Sequence, residues 1–481
     1  MNIKIILYVF GILLLIEGGL LMLPVIVALL YGEQDLLPIL YSSAIAFTVG
    51  GLCWYFNRKC SNEIGKREGF FIVSAVWIVF AFFGAFPFMI SGYISSVTDA
   101  FFEAISGFTT TGYTIIPEIE ALPHGLLFWR SMMHFMGGIG ILVLCISVLP
   151  NFGVGSMNIY QAETSAASGG KISPRIKDTA KHITVIYLIL TLACFLMYLP
   201  DPKMNIFNAL CHALSTTATG GFSTKTASMA AFSKYSQWVA ILFMFLGSTS
   251  FVYIFYLWKH EFKKITRNDE FRFFVYIILA TFIIVFIGLL HIDYEFERAF
   301  REGLFNVVNV ISTTGFGIND YRWWTPPLWF VVFLLAFVGG CAGSTAGGLK
   351  SVRFLLLFRM IPVQFKKMIH QNAIIHVKLN GQNVSEDRMS RTLAYLMIFL
   401  CVYVVGVFVL MLCDFDFTSA VTTSVACLSN LGPGLELTYP TGNFANISTS
   451  GKWVSSLLML LGRLELYSVL ILFSITFWKK Q

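Results

Sequence analysis

The chain has 481 residues, of which 57% are hydrophobic and only 12% are charged, about half the charged share of an ordinary soluble domain. This composition excludes a soluble globular enzyme. Lysine and arginine outnumber aspartate and glutamate by 33 to 26, and because the charges lie between long apolar runs, the net charge of +7 indicates membrane topology rather than nucleic-acid binding.

Ten apolar runs are long enough, at about 20 residues each, to cross a hydrocarbon layer of about 30 Å. They fall at 5–30, 38–56, 70–92, 125–149, 183–199, 236–258, 272–291, 328–358, 392–413 and 452–477. The first run is too long for the core of a signal peptide and lacks a small-residue cleavage site, so we expect a retained span. The nine cysteines lie mostly within apolar runs, without a CxxC pair or zinc-site spacing, and we expect free thiols.

The positive charges favour one orientation of these spans. With the N-terminus placed in the cytoplasm, 24 of the 33 lysines and arginines fall inside and seven fall outside. The remaining two, Arg130 and Arg463, lie within spans. Because cytoplasmic loops of membrane proteins carry an excess of positive charge, the sequence predicts that both termini are cytoplasmic.

The first two spans are joined by a short acidic outside loop, 31–37, and have no counterpart later in the chain. The other eight form four pairs, and the outside connection of each pair carries two or three helical turns, a cluster of small polar residues and a glycine. These stretches are AFFEAISGFTTTGY (100–113), FNALCHALSTTATGGF (207–222), FNVVNVISTTGF (305–316) and AVTTSVACLSNLGP (420–433). Non-helical backbone survives at membrane depth only when protein buries it or water reaches it, so four re-entrant segments predict a central aqueous path.

The direction of these segments favours a cation. Each short helix descends from the outside, so the negative end of its dipole points toward the membrane centre. The extended residues that follow can direct carbonyl oxygens at the axis, and glycine there turns carbonyls inward without adding a side chain. An ordinary Gly/Ser/Thr loop would explain one such stretch, whereas four at matched positions favour an ion pathway.

These stretches resemble the Trk/Ktr family of bacterial potassium transporters, in which one chain carries four fused span–pore helix–span repeats around a pseudo-fourfold pore. The resemblance covers the whole chain, and the two extra N-terminal spans are similar to the Trk branch. It implies an all-α integral membrane protein of the bacterial inner membrane, with four repeats around a central pore preceded by two extra transmembrane helices. The implied boundaries are 1–69 for the extra helices and 70–155, 156–265, 266–375 and 376–481 for the repeats.

By this resemblance, potassium would be the transported ion and would bind a selectivity filter, whose glycine in every repeat is the family pattern associated with potassium preference. The implied filter residues are Thr110, Thr111, Gly112, Ala218, Thr219, Gly220, Thr313, Thr314, Gly315, Asn430, Leu431 and Gly432. Repeat two contains Gly220-Gly221, which leaves its alignment open by one residue. Repeat four has Pro433 and no threonine before its glycine, so the fourfold symmetry is approximate.

The eighth run is interrupted by GGCAGSTAGG at 339–348, and five glycines in this stretch disfavour a continuous helix. In the family, this position is an intramembrane loop that lies across the pore below the filter and acts as the gate. The implied gate residues are Gly339, Gly340, Gly343, Ser344, Thr345, Gly347, Gly348 and Lys350. The alternative is close helix packing through small residues, which suits Gly137, Gly138 and Gly140.

Two charged residues near the expected filter have assigned roles. Arg463 in the last span must face water, a carboxylate or the pore, and Glu465 lies on a different helix face. The family places this arginine in the pore beneath the filter as a barrier to cations; the alternative is a buried ion pair with a carboxylate on another span. We expect Glu103 to support the filter by hydrogen bonding, because a bare carboxylate beside the filter would hold potassium too tightly.

Three further polar residues lie in membrane segments. We expect Arg130 and His134, one turn apart, to be structural anchors rather than a proton relay. We expect His212, on the second short helix, to be a packing residue with satisfied hydrogen bonds rather than a titrating group.

No catalytic or nucleotide-binding motif occurs, since GxGxxG in a βαβ unit, a Walker A lysine, HExxH and GxSxG are all missing. We therefore expect neither an enzyme nor a chain that binds a nucleotide itself. The basic inside loops 157–181 and 359–391 are too short to form domains and suit docking. The resemblance implies a cytosolic RCK-type nucleotide-binding regulatory subunit as partner and a homodimer in membrane lipid, with no role for nucleic acid.

The residues alone leave open whether conduction is passive or coupled to Na⁺ or H⁺. A secondary transporter for an organic solute would place discontinuous helices in inverted repeats, whereas all four repeats here enter from the same side. A membrane enzyme would need His, Asp or Glu clustered at one depth, and the ionisable residues here are isolated. The sequence predicts gated, channel-like potassium uptake, with an ion-coupled secondary transporter as the alternative.

Overall fold

The computed structural model describes residues 1–60, 64–140, 176–319, 324–370, 375–432, 434, 442–464 and 466–479. Within these ranges the regular structure is helical except for one two-stranded hairpin. Cys145, Pro433, Glu465 and most of the loop 157–181 lie outside the described residues.

The helices follow the predicted order of an N-terminal pair and four repeats. The pair is α1 (Ile3–Tyr31) and α2 (Leu36–Asn57). Repeat one contains α3 (Lys66–Gly84), α4 (Phe86–Ile90), α5 (Val97–Phe108) and α6 (His124–Ile139); repeat two contains α7 (Ile176–Tyr198), α8 (Ile206–Thr217), α9 (Lys234–Ser248), α10 (Phe251–Trp258) and α11 (Phe262–Thr266). Repeat three contains α12 (Asp269–His291), α13 (Phe296–Ile311), α14 (Pro326–Val338) and α15 (Ser351–Ile369), followed by β1 (Lys378–Leu379) and β2 (Gln382–Asn383). Repeat four contains α16 (Glu386–Met411), α17 (Phe417–Ser429), α18 (Thr449–Arg463), α19 (Tyr467–Leu470) and α20 (Ile475–Trp478).

The molecule is built around the four short helices α5, α8, α13 and α17. Most of their residues are buried, including Ala100, Ala209 and Ala420 at 0% exposure. The long first helices of the repeats surround them and leave apolar side chains exposed, such as Ile287 on α12 and Val404 on α16. Exposed apolar faces of this extent belong in lipid, and six described helices are long and apolar enough to span a membrane, or eight if two bent pairs each count as one span.

The N-terminal pair is anchored to repeat one by its acidic loop. The carboxylate of Glu33 accepts a hydrogen bond from the backbone N–H of His124 at 2.5 Å, and that of Asp35 accepts one from Leu126 at 3.0 Å. Both N–H groups belong to the first turn of α6, where helices leave donors without intrahelical partners and where negative charge is favourable. The acidic loop therefore caps a helix of the first repeat.

The second spans are broken, which the sequence prediction of unbroken spans at 236–258 and 452–477 missed. Helices α9 and α10 meet at 104°, and α18 meets the helical segment Tyr467–Phe473 at 108°. In three repeats a glycine of the second span lies against a carbonyl at the end of the short helix. A Cβ on Gly137 would lie 1.9 Å from the oxygen of Phe108, one on Gly247 3.1 Å from that of Thr217, and one on Gly462 2.2 Å from that of Leu428. These glycines permit the close approach that brings the second spans under the short helices.

Candidate functional site

All four short helices end in the same backbone motif. One or two residues after each helix, a residue has φ between 52° and 55°, and these residues are Thr110, Thr219, Thr313 and Asn430. In every repeat, the N–H of the next residue bonds a carbonyl oxygen five residues back, at 2.8 to 3.0 Å. This is the Schellman arrangement of helix ends. Because left-handed backbone is unfavourable for a β-branched residue, three threonines in this conformation mark tightly held, strained turns.

The motif fixes the alignment of repeat two. Thr219 occupies the left-handed position, and the glycine two residues later, Gly221, has φ of 87°. The corresponding glycines Gly112, Gly315 and Gly432 have φ of 85°, 86° and 87°. Of the two glycines between which the sequence left the alignment open, the structural equivalent is thus Gly221. The corresponding residues of repeat two are therefore Thr219, Gly220 and Gly221 rather than Ala218, Thr219 and Gly220.

These segments lie side by side, each against the segment of another repeat. A Cβ on Gly112 would lie 2.2 Å from the carbonyl oxygen of Gly220, and one on Gly221 would lie 2.2 Å from that of Thr314. A Cβ on Gly432 would lie 2.5 Å from the carbonyl oxygen of Thr111. The glycine of repeat four thus lies against the carbonyl that precedes the glycine of repeat one, and the same contact joins repeat one to repeat two and repeat two to repeat three. A solvent-open cavity lined by Gly112, Gly221 and Gly315 lies against these segments.

The threonine side chains of repeats one and three are turned back onto their own helices. The hydroxyl of Thr111 lies 2.8 Å from that of Thr109, and the hydroxyl of Thr314 lies 2.7 Å from that of Ser312. Repeat four has Leu431 at this position and is stabilised differently. The amide of Asn430 donates to the Thr111 hydroxyl at 3.1 Å and to the Met459 carbonyl at 2.9 Å. Repeat four is thus tied directly to repeat one.

Glu103 and Arg130 form an ion pair behind the segment of repeat one. Their side chains are 0% and 1% exposed, and Nε of Arg130 lies 2.8 Å from Oε1 of Glu103. The same carboxylate accepts hydrogen bonds from the Thr114 hydroxyl at 3.0 Å and the Ile115 N–H at 2.9 Å. Arg130 also donates to the Ser223 carbonyl at 3.1 Å. The pair therefore holds the backbone that follows the glycines of both repeats one and two.

His134 and His212 both contact residues of repeat two. Nδ1 of His134 lies 3.1 Å from the Ser215 hydroxyl, and its ring stacks on Phe222 at 4.1 Å between centroids. His212 uses both ring nitrogens, at 2.8 Å from the Asn208 carbonyl and 2.9 Å from the Ser223 hydroxyl. Both histidines pack against the short helix and loop of repeat two.

The glycine-rich loop 339–350 lies directly beneath these segments. The hydroxyl of Thr345 lies 3.2 Å from that of Thr219, and the Gly347 N–H donates to the Thr313 hydroxyl at 2.7 Å. A Cβ on Gly347 would lie 2.1 Å from the carbonyl oxygen of Ser429. The loop therefore contacts repeats two, three and four at the level of their left-handed residues.

Arg463 contacts the remaining repeat and the loop together. Its guanidinium donates to the Thr110 hydroxyl at 3.2 Å, to the Thr345 carbonyl at 3.1 Å and to the Gly137 carbonyl. The charge thus lies among carbonyl and hydroxyl oxygens between the loop and the segment of repeat one. The sequence-predicted residues of all four repeats, the loop and the arginine come together in one place.

Two parts of the site were not foreseen. The break between α9 and α10 receives the loop, since the Cys341 N–H donates to the Ser248 carbonyl at 2.9 Å and the Phe251 N–H donates to the Gly343 carbonyl at 3.1 Å. Glu270, buried at the start of α12, accepts a hydrogen bond from the Ala342 N–H at 2.7 Å. The small residues of GSTS at 247–250 could have indicated the break, whereas an acidic residue at a helix start looks like an ordinary cap.

A family model described as TrkH, cation transport protein, matches residues 38–480. The Trk system potassium uptake protein TrkH of Salmonella typhimurium is 36% identical over 100% of both chains. The Trk system potassium uptake protein TrkG of Escherichia coli is 34% identical over 95% of this chain and 94% of its own. The crystal structure of the potassium transporter TrkH from Vibrio parahaemolyticus matches 100% of both chains with a TM-score of 0.89 at 34% identity.

Proposed function

The chain belongs to the TrkH family of cation transport proteins, and on that basis we propose that it takes up potassium across the bacterial inner membrane through a gated, channel-like pore. The observation that carries this proposal is the ring formed by the four segments after the short helices. Each segment brings backbone carbonyls and a left-handed glycine to one axis. Carbonyl oxygens in such a ring can replace the water around a dehydrated cation.

The filter is formed by equivalent residues of the four repeats. In the register of the backbone motif these are Thr110, Thr111, Gly112, Thr219, Gly220, Gly221, Thr313, Thr314, Gly315, Asn430, Leu431 and Gly432. Potassium is the transported substrate and is held by carbonyl oxygens rather than by carboxylates. Glu103 supports the filter from behind, because its carboxylate is already occupied by Arg130, Thr114 and Ile115.

The loop 339–350 acts as the gate and Arg463 as a barrier to cations. The proposal is supported by the contacts of Thr345 and Gly347 with the lower edge of the filter and by the position of the Arg463 guanidinium next to Thr110. A fixed positive charge on the path repels potassium, and a loop of small residues can move aside without displacing large side chains.

A cytosolic RCK-type nucleotide-binding subunit regulates this gate, and two membrane subunits pair as a homodimer; both proposals rest on the family. The cytoplasmic surface offers α15, which ends at Ile369 with Lys366 and Lys367 in its last turn, and the hairpin of β1 and β2. The nucleotide is bound by the partner and not by this chain.

The test is ion flux into liposomes that contain the purified chain alone. We expect radioactive rubidium, a potassium analogue, to enter and sodium to be excluded, and Gly315→Ser to relax this selectivity. Gly92→Ser is the matched control, because Gly92 also has a positive φ, of 78°, but meets nothing within 4 Å of a Cβ. Unchanged selectivity in folded Gly315→Ser would contradict the filter.

Two further arms complete this test. If the wild-type chain passes neither ion, the flux of the Arg463→Ala variant is measured as well. The absence of flux in this variant also contradicts the pore. Coupling to Na⁺ or H⁺, the alternative mechanism, would appear as potassium uptake against its own gradient when a sodium or pH gradient is imposed.

A further inference from the structure

Glu270 connects three elements at the cytoplasmic side of the gate loop. Its side chain is nearly inaccessible, with 7% of the residue exposed. Oε1 accepts hydrogen bonds from the Ala342 N–H at 2.7 Å and the Ser351 hydroxyl at 3.1 Å, and Oε2 lies 3.2 Å from the Tyr253 hydroxyl. Ala342 lies near the beginning of the gate loop and Ser351 directly follows its end, so a single carboxylate holds both ends of the loop.

The position of Glu270 makes these contacts strong. Glu270 is the second residue of α12, and Ser351 is the first residue of α15, so the carboxylate lies at two helix N-termini, where partial positive charge favours it. Because the carboxyl group is buried, water competes little for these hydrogen bonds. The third partner, Tyr253, lies on α10 just past the break that receives the gate loop, and its hydroxyl is also 2.9 Å from Oδ1 of Asn268.

The neighbouring residue extends this connection to the cytoplasmic surface. Asp269 forms an ion pair with Arg359 of α15 at 2.7 Å and accepts a hydrogen bond from the Asn380 N–H at 2.6 Å. Arg359 in turn donates to the Lys378 carbonyl at 2.7 Å. The hairpin of β1 and β2 is therefore attached to α12 and α15 one residue away from the carboxylate that holds the gate loop.

We propose that Glu270 is the positioning residue that holds the gate loop closed, and that Asp269 and Arg359 transmit displacement of the cytoplasmic hairpin to it. The proposal rests on the proposed gating function of the loop 339–350. Glu270 does not touch the ion; it acts by fixing Ala342 and Ser351, and losing its contacts releases the loop from beneath the filter.

The first experiment measures rubidium flux into liposomes for wild type, Glu270→Ala and Glu270→Gln. We expect Glu270→Ala to raise flux about tenfold, the change that corresponds to losing about one hydrogen bond from the closed state. Glu270→Gln retains an oxygen that can accept from Ala342, so its increase is smaller. Glu386→Ala is the control, because Glu386 also lies in the first turn of a helix but its side chain is 88% exposed.

A second readout separates gate release from general loosening. Cys341 lies in the gate loop and is 0% exposed. In Glu270→Ala we expect Cys341 to react with a maleimide, measured by mass spectrometry of its peptide, while Cys341 of wild type and Glu270→Gln stays largely protected. The buried Cys211, on the short helix of repeat two, is the internal control and stays protected in all variants.

A loop variant lacking residues 342–344 separates this proposal from the gating proposal on which it rests. If the shortened loop raises flux and neither folded Glu270 variant does, Glu270 is not the holding residue, although the loop is a gate. If wild type conducts and none of these variants raises flux, the gate itself is refuted, and the role of Glu270 with it. Higher flux with Cys341 still protected also overturns the proposal, because the loop has then not moved.

Discussion

At the scale of single residues, the notable feature is that three threonines adopt a left-handed backbone at the end of the short helices. Thr110, Thr219 and Thr313 have φ of 54°, 52° and 55°. Such a conformation costs on the order of 1–3 kcal/mol for a residue other than glycine, and it persists only where the surrounding structure enforces it. Here the hydroxyl of each threonine contacts the gate loop or Arg463. The strain is therefore located where the proposed filter and gate meet.

The register of repeat two can be tested with a pair of adjacent glycines. A Cβ on Gly220 would lie 2.3 Å from the ring of His134, whereas one on Gly221 would lie 2.2 Å from the backbone oxygen of Thr314. We expect Gly220→Ala to lower the melting temperature and His134→Ala to restore part of it by making room. Gly221→Ala should alter ion selectivity in liposome flux, and His134→Ala should not correct it. The opposite pattern would make Gly220, rather than Gly221, the equivalent of Gly112, Gly315 and Gly432.

Removal of the charge of Arg463 tests its role as a barrier. We expect Arg463→Ala to increase cation flux and Arg463→Lys to keep it low, because lysine retains the charge although it loses the forked geometry of the guanidinium. The measurement is rubidium entry into liposomes at matched protein density. An unchanged or lower flux in a well-folded Arg463→Ala protein would instead favour a structural role through Gly137 and Thr345.

The contribution of the Glu103–Arg130 pair to the stability of the protein can be tested. Removing one partner of a buried pair leaves an uncompensated charge and typically costs about 3–5 kcal/mol. We expect Glu103→Gln to lower the melting temperature strongly and the double variant Glu103→Gln, Arg130→Gln to lower it less than the sum of the single changes. The melting temperatures are measured by heating samples of each variant and determining the remaining folded protein by size-exclusion chromatography. Additive losses would mean that the two side chains are not coupled.

At the scale of elements, the second spans of repeats two, three and four are not continuous helices. Hydropathy predicts one span for 236–258, yet α9 and α10 meet at 104°. A bend leaves the mean hydropathy of the stretch unchanged, so hydropathy does not register it. The break is stabilised by tertiary contacts, because Ser248 and Phe251 exchange backbone hydrogen bonds with the gate loop. Two interrupted spans from repeats two and three thus support each other.

The outer connection of repeat two carries a testable dependence on pH. Burial raises the pKa of Asp201, but hydrogen bonds from the Ser233 and Ser236 hydroxyls outweigh it and hold the pKa below the ordinary value. Because the folded-state pKa is lowered, the stabilisation is present above the unfolded pKa of about 3.9 and is lost as pH falls through the folded pKa. We expect Asp201→Asn to lower the melting temperature at pH 7 and the difference from wild type to shrink below about pH 4.

The control for this measurement is Glu386→Gln, since the side chain of Glu386 is 88% exposed and should have little effect at either pH. A difference between Asp201→Asn and wild type that stays constant down to pH 3 would show that the carboxylate charge does not contribute to the stability of the folded protein.

At the scale of the whole molecule, the family assignment drawn from four short stretches is confirmed by the match of residues 38–480 and by full-length relatives. The all-α fold of four repeats preceded by two helices is confirmed as well. Orientation in the membrane is still a prediction, which follows from the 24 to seven distribution of positive charges.

Reporter fusions test that orientation. A reporter that functions only in the cytoplasm should be active when fused after Gln481, and one that functions only in the periplasm should be active when inserted in the outside loop at Gly32. Gly32 suits the insertion because it is a loop residue with nothing within 4 Å of a Cβ. The reverse activities would contradict the predicted orientation of the N-terminal pair.

The sequence by itself determined the membrane class, the four repeats, the family, the non-helical stretches after the short helices and the glycine-rich break at 339–348. These properties are expressed in composition, in repeated short patterns and in the sign of loop charges, all of which are local along the chain. Glycine clusters and hydroxyl residues after each short helix were sufficient to locate the region of the proposed filter and gate.

Only the tertiary structure decided which residues meet there. Arg463 lies 353 positions from Thr110, and Asn430 lies 319 positions from Thr111, yet both pairs are in hydrogen-bond contact. The structural equivalence of Gly221, the pairing of Glu103 with Arg130 and the hold of Glu270 on the gate loop likewise depend on how separate repeats pack. Hydropathy and periodicity indicate the environment of a segment but not the segment it contacts. Contacts between residues hundreds of positions apart are therefore visible only in the folded structure.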